Sequence, residues 1–290
     1  MNITIGIATR GRPAILAEVL AELDRQTRPP QAIIICPVGP EDVAGIQERF
    51  PGVRIIQSPA GLTRQRNAIM DAAPDADVIL FLDDDFLPAP EWLEVLDAVM
   101  RREPDCVVAT GTVIADGAKG PGISVEDGRR ILAADLPPAD PLATSPHFNG
   151  YGCNMAIRMA PVRAHGERFD EALPAYGWYE DLDFTRRLLP YGTIRRLAGA
   201  RGVHMGAKVG RTPGRKLGYS QVVNSIYLAR KGSYPWSHAL RSAGRHLLIN
   251  ALKSARPEPE VDRWGRFQGN LRGLWHVLTG QASPGRISEL

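Results

Sequence analysis

Residues 78–85 read Val78-Ile79-Leu80-Phe81-Leu82-Asp83-Asp84-Asp85, five apolar residues running without a break into three carboxylates. A continuous apolar run opening on β-branched residues is what a strand covered on both faces requires, because neither face meets water. The pattern recurs at 2–8 (NITIGIA), 32–36 (AIIIC) and 53–56 (VRII). Between these runs, 12–26 carries Ile15, Leu16, Val19, Leu20 and Leu23 at helical spacing, and 41–49 and 62–73 are helix-like. Strand and helix in alternation predict an α/β fold, a mainly parallel sheet with helices packed on both sides.

Farther along, 89–102 reads as a helix with Pro90 and acidic residues early, where the helix start favours both. A strand is expected at 106–114 and another at 154–158, with a helix over 179–189. The stretch 115–150, rich in Gly, Pro, Asp and Ala, is expected to be mostly loop. Beyond residue 210 the spacing predicts helices near 217–230, 238–253 and 264–278. This order divides the chain into an α/β region over 1–210 and a helical region over 211–290.

With 290 residues, 44% hydrophobic and 23% charged, the chain is an ordinary globular one, which excludes wholesale disorder and small disulfide scaffolds. No apolar run approaches the roughly 20 residues of a membrane-spanning helix. Met1 leads directly into a strand-like run with no secretory signal, so a cytoplasmic location is expected. Cys36, Cys106 and Cys153 are odd in number and far apart, which suits reduced core residues. The net charge of +3 hides an asymmetry. Residues 1–200 hold 20 Lys+Arg against 28 Asp+Glu, a net −8, while 201–290 hold 15 against 4, a net +11. A basic tail on an acidic front points to an anionic partner for the tail or to a solvated basic surface.

Three carboxylates at the carboxyl end of a central parallel strand lie where open α/β sheets bind ligands. Their mutual repulsion is relieved by a hard divalent cation, Mg²⁺ or Mn²⁺, shared with substrate phosphates; the plainer alternative is a solvated acidic turn. At 177–184 (GWYEDLDF), Glu180 and Asp181 fall at the start of a helix, where the dipole keeps a carboxylate ionised. Such a group can serve as a general base toward a sugar hydroxyl, or simply cap the helix. His204, flanked by small residues in GVHMG, is by itself a structural histidine.

Taken in order, ATRGRP (8–13), LTRQRNAIMDAA (62–73), FLDDDFLP (81–88), RFDEAL (168–173), GWYEDLDFTRRL (177–188) and the late His204 resemble family 2 glycosyltransferases. The resemblance covers roughly residues 1–210 and implies a catalytic domain there, with a nucleotide-sugar-binding half of about 1–115 and an acceptor half of about 116–210. It implies a GT-A fold, Rossmann-like with a mixed, mainly parallel sheet, and an inverting, metal-dependent, hexosyltransferase-like enzyme using a nucleotide diphosphate sugar, UDP being the expected carrier. By the same resemblance Thr9, Arg12, Arg66 and Asn67 line the donor site. Asp83 and Asp85 form the DxD, with Asp84 toward the ribose and Asp85 on the metal. Asp181, with Glu180 beside it, supplies the base, Trp178 meets the acceptor, and His204 completes the metal site. One departure stands out. The family's acidic turn after the second strand, which reads uracil, has no counterpart in Cys36-Pro37-Val38-Gly39-Pro40-Glu41-Asp42. A QxxRW motif is also missing after residue 190, which implies transfer of a single sugar.

The tail lies outside the resemblance. Leu240, Leu247, Leu248 and Leu252 share a helical face, with Arg241, Arg245 and Lys253 expected mostly elsewhere. Trp264, Phe267, Leu271, Leu274 and Trp275 form a second stripe beside Arg263, Arg266 and Arg272. Two roles fit: packing on the catalytic domain, or contact with an anionic membrane surface, peripherally on the inner face of the plasma membrane. The second suits a saccharide acceptor carried on a polyprenyl diphosphate, as in surface or exopolysaccharide assembly. Two rival classes fit the sequence less well. A nucleic-acid- or membrane-binding protein would use the tail alone, but no nucleic-acid motif is present and no nucleic-acid partner is expected. A sugar nucleotidyltransferase would open on a Gly-rich loop, whereas ATRGRP has one Gly.

Overall fold

A computed structural model of the chain describes residues 1–209, 212–256 and 258–290. They form two compact units, one of 1–60, 64–168 and 188–209, the other of 61–63, 169–187 and the described residues from 212 onward. The boundary expected at 210/211 lies outside the described residues, and 169–187, expected with the catalytic domain, cluster with the C-terminal helices.

In chain order the first unit contains β1 (Ile3–Thr9), α1 (Pro13–Leu23), β2 (Ala32–Pro37), α2 (Ile46–Arg49), β3 (Arg54–Ile55), α3 (Leu62–Ala72, its first two residues counted with the other unit), β4 (Val78–Asp83), β5 (Phe86–Pro88), α4 (Trp92–Arg102), β6 (Cys106–Asp116), α5 (Val125–Ala134), β7 (Thr144–Pro146), β8 (Asn154–Arg158), α6 (Met159–His165) and, after the second unit's α7 (Glu180–Arg187), β9 (Thr193–His204). Among the described residues the strands make one sheet ordered β3-β2-β1-β4-β8-β6-β9-β5, with β7 on β9. Pairs β1–β2, β1–β4, β2–β3 and β6–β9 are parallel, and β8 runs antiparallel between β4 and β6. Ile3, Ile5 and Ile7 on one face of β1 join Leu16, Leu20, Trp92 and Leu96 of α1 and α4 in the core. The other face takes α3, since a Cβ on Gly6 would lie 2.6 Å from Ile69. Each fully buried Ile or Leu there contributes about 1.5–3 kcal/mol. Cys36, Cys106 and Cys153 are buried and free.

Two expectations are corrected. The helix expected over 41–49 is only a 3₁₀ turn (Pro40–Val43) and one turn of α2, because Gly45 between them takes the left-handed φ of +74° that ends helical geometry. The stretch 115–150 is less a loop than its composition implies: β6 runs on to Asp116, and α5 is capped by Ser124, whose hydroxyl accepts the Asp127 N–H at 3.0 Å. Arg129 of α5 pairs with Glu18 and Glu22 of α1 at 2.8 and 2.6 Å.

The second unit holds α7, α8 (Gly214–Lys231), α9 (Trp236–Ser254) and α10 (Arg263–Leu278). Small residues let α8 and α10 meet at the backbone: a Cβ on Gly218 would lie 2.0 Å from the Arg266 carbonyl, and one on Gly269 2.0 Å from that of Arg215. Register is set by a buried amide chain. The Asn250 amide donates to Gln221 and Asn270 at 3.0 and 2.8 Å, and Asn270 donates to the Gly218 carbonyl at 2.7 Å. Among the described residues no helix is long and apolar enough to cross a membrane.

Candidate active site

Strand pairing assembles the acidic cluster. β4 delivers Asp83 at its end, and Asp84 and Asp85 form the turn into β5. β5 pairs with β9 so that Phe86 faces His204, and β6 pairs with β9 so that Asp116 faces His204. The imidazole is thereby set between carboxylates. Its Nδ1 lies 2.9 Å from Asp116, while Nε2 lies 3.4 Å from Asp85 and 3.9 Å from Asp83. One ligand atom from each of Asp83, Asp85 and His204 falls within 4.8 Å of the others.

This donor set fits a divalent cation. Two carboxylates and an imidazole suit Mg²⁺ or Mn²⁺ with room for phosphate oxygens. Asp85 Oδ1 is buried with His204 Nε2 3.4 Å away as its polar neighbour, a poorly satisfied position that a cation would complete. Asp116, not singled out from the sequence, has the position of the residue that orients a metal-binding histidine: its carboxylate is placed to accept a hydrogen bond from Nδ1–H, which leaves Nε2 toward the cluster. Asp116 is itself held by the Ala118 N–H at 2.9 Å and the Tyr151 hydroxyl at 3.0 Å. Burial opposes the charged form of His204, yet hydrogen bonding to Asp116 and Asp85 and the nearness of Asp83 outweigh it and raise its pKa to about 10 among the carboxylates alone; a cation bound at Nε2 would displace that proton. Burial likewise works against ionised Asp116, but the His204, Ala118 and Tyr151 contacts hold its carboxyl well below the usual range. Burial is also the main influence on Asp84, pushed up to about 7 against the pull of Arg12.

The expected donor-side residues gather around this turn. Thr9 Oγ1 donates to Asp84 Oδ2 at 2.7 Å, and Arg12 Nη1 reaches Asp84 at 2.8 Å and Asp85 at 3.2 Å. Arg66 on α3 is buried, donates to the Gly152 carbonyl at 2.9 Å, lies 3.4 Å from Asp83 and covers the Phe81 ring. Asn67 is buried next to it on α3. Asp85 also accepts the Ala207 N–H at 2.7 Å. Two further residues were not anticipated. Gln65 donates to the Thr9 and Cys36 carbonyls, tying the ends of β1 and β2. Asp42, the last residue of the departing turn, is buried and accepts the N–H groups of Gly11, Val38 and Gly39.

Trp178, Glu180 and Asp181 belong to the second unit. Tyr179 has a φ of +72°, an uncommon left-handed value for a residue with a side chain, immediately before α7. Such strain persists only where surroundings hold it. Here the Tyr179 hydroxyl bonds Ser242 at 2.6 Å, and the Trp178 carbonyl accepts from Asn224 at 2.9 Å. Glu180 is buried and Asp181 half-buried in the first turn of α7. Asp183, one turn in, is structural: wholly buried, it takes the Ser233 hydroxyl at 2.6 Å and Lys231 at 2.7 Å.

Comparison with known proteins agrees with this geometry. The profile of Glycosyl transferase family 2 matches residues 4–162, more than half of the chain. No curated protein matches the sequence. Among solved structures, S. aureus TarS 1–349 is similar over 100% of this chain and 83% of its own, with a TM-score of 0.61 and 16% identity. The same protein in complex with UDP-GlcNAc gives a TM-score of 0.63 at 14% identity, over 100% and 84% of the two chains. GalNAc-T7 with UDP, GalNAc and Mn²⁺ gives 0.60 at 13% identity, over 99% of this chain and 58% of that one. At these identities the likeness is one of fold, the GT-A arrangement of a mixed sheet flanked by helices. With the profile spanning the strands that build the acidic turn, the chain belongs to the family 2 glycosyltransferases.

Proposed function

We propose that the protein is an inverting, metal-dependent glycosyltransferase that moves one sugar from a nucleotide diphosphate sugar to a hydroxyl of a saccharide acceptor. The observation that carries this reading is the Asp83, Asp85 and His204 cluster at the carboxyl edge of β4, its two carboxylates lying within the family 2 match and His204 beyond it. A divalent cation bound there would supply charge neutralisation for a departing diphosphate. In this reading Asp83, Asp85 and His204 hold the cation, Asp116 orients His204, and Thr9 and Arg12 keep the acidic turn in place. Arg66, Asn67 and Asp84 complete the donor side.

In the transfer, the acceptor oxygen forms a bond to the sugar C1 as the bond from C1 to the diphosphate oxygen breaks. The bonding pair leaves with the nucleotide, and the hydroxyl proton passes to the carboxylate of Asp181. Attack from the side opposite the leaving group inverts C1. Trp178 offers an aromatic face to the acceptor sugar, and Glu180 beside Asp181 is the second carboxylate of the catalytic pair. UDP is the proposed carrier; among proteins of this fold, structures of TarS and GalNAc-T7 hold it. A polyprenyl-diphosphate-linked acceptor in surface polysaccharide assembly at the cytoplasmic membrane face extends the reading, supported by the basic tail. The test is release of nucleoside diphosphate from a panel of nucleotide sugars in Mn²⁺, Mg²⁺ or EDTA. Release from at least one donor that stops in EDTA supports the proposal; no release from any donor in either metal removes it.

A further inference from the structure

The helices α9 and α10 are built inside out. Their packed faces are small or polar: Gly265, Gly269, Asn270, Gly273 and His276 are the buried residues of α10, and Ala239 and Asn250 those of α9. Large apolar side chains point the other way. On α10, Trp264, Leu271, Trp275 and Leu278 fall seven, four and three residues apart, the spacing of one helical face, and both tryptophans are 58% exposed. On α9, Leu240, Leu248 and Leu252 are exposed, Leu252 at 66%. Arg241 and Arg245, expected from the sequence to lie mostly off this stripe, are exposed alongside it. Apolar side chains lose by facing water, so a run of them outside a glycine-lined inner face needs a partner.

Charge selects the partner. Neither helix contains an Asp or Glu, and although Lys253 of α9 and Arg263 of α10 pair with Glu258 in the connection between the helices, Arg241 and Arg245 of α9 and Arg272 of α10 are exposed cations. A second copy docked face to face by two-fold symmetry would oppose cation to cation. Anionic lipid meets both demands at once, with tryptophan and leucine entering the acyl boundary and the cations remaining among headgroups. We propose that the exposed faces of α9 and α10 form a docking surface for an anionic lipid bilayer. This goes beyond glycosyl transfer and does not depend on it.

The full-length protein is sedimented with phosphatidylcholine vesicles and with vesicles also containing phosphatidylglycerol, at low salt and at about 0.5 M salt, where the screening length falls well below 10 Å. Retention by the anionic vesicles alone, lost at high salt and accompanied by a blue shift of tryptophan emission, is expected. The exposed pair Trp264→Ser/Trp275→Ser abolishes the blue shift. The triple variant Arg241→Gln/Arg245→Gln/Arg272→Gln lowers partitioning about a hundredfold, from the contribution of each cation near the surface. Melting curves of both variants confirm that the fold survives these exposed changes. Three results overturn the proposal: no retention by anionic vesicles at low salt, a dimer in sedimentation equilibrium that the tryptophan variant dissociates, or tight binding to RNA with vesicle binding absent. No sugar transfer is measured, so failure here leaves the proposed reaction untouched, and the reverse.

Discussion

Replacing Asp116 by Ala isolates the part of the site that sequence reading missed. The substitution removes the acceptor of the His204 Nδ1 proton at 2.9 Å and leaves Asp83, Asp85 and His204 themselves intact. Without that bond the imidazole loses both its fixed orientation and the carboxylate that raises its basicity. Removal of such a supporting carboxylate typically weakens metal binding about 10- to 100-fold, or about 1.4–2.7 kcal/mol. The Ala118 N–H and the Tyr151 hydroxyl lose their acceptor as well, so the fold is expected to give up about 1–3 kcal/mol. Titration of Mn²⁺ by calorimetry in the presence of UDP reads the first quantity, and urea denaturation in EDTA the second. Asp116→Asn, which keeps an oxygen acceptor without the charge, should fall between the wild type and Asp116→Ala. If Asp116→Ala binds Mn²⁺ within twofold of the wild type while His204→Ala does not bind, something other than Asp116 orients the histidine and the reasoning fails.

Asp85→Ala, which removes the most buried proposed ligand, should abolish UDP release while the chain still melts cooperatively; activity surviving in this variant would separate catalysis from the cluster. Asp181→Asn should lower turnover by about 10²-fold or more with donor affinity little changed, and an inactive Glu180→Gln beside an active Asp181→Asn would exchange the two roles. Gly269→Ala should destabilise by about 1–2 kcal/mol, because a Cβ 2.0 Å from the Arg215 carbonyl outweighs the helix-propensity gain of about 1 kcal/mol, whereas Gly244→Ala, with open space around it, should stabilise; urea midpoints moving the same way in both would contradict the close approach of α8 and α10. His246 is pushed down to about 4 by burial and by the charges of Arg245, Arg266 and Arg263, so the folded state disfavours its proton. Its contribution is intact above about pH 6.5 and is lost as pH falls from there toward 4, by up to about 3 kcal/mol, and His246→Phe should flatten that part of the stability profile.

The strands and the acidic turn were legible because their signals are local. Val78–Asp83 is both the apolar run and the strand, and the triple Asp follows it directly. What escaped was set by pairing across the chain. Asp116 lies 88 residues from His204 and meets it only because β6 and β9 run side by side, a register that no local pattern encodes. Asp42 closes the segment that lacks the family's base-reading turn, and its carboxylate caps three backbone N–H groups whose partners are set by folding rather than by local pattern. In α5 a usable signal existed, Ser124 with Asp127 three residues on, but the surrounding Gly and Pro obscured it. In the tail the helical stripes were correctly located. Which face they show depends on the glycines of α10, whose inward position lets the bulky side chains turn outward.

The central claim is that a nucleotide sugar binds this chain through a divalent cation held by Asp83, Asp85 and His204. Thermal denaturation across UDP-sugars, each with Mn²⁺ and with EDTA, tests it most directly, since a ligand bound only by the folded state raises the midpoint by mass action. The account predicts a rise for at least one UDP-sugar in Mn²⁺ that disappears in EDTA and in Asp85→Ala. An equal rise in EDTA, or in Asp85→Ala with Mn²⁺, would contradict it.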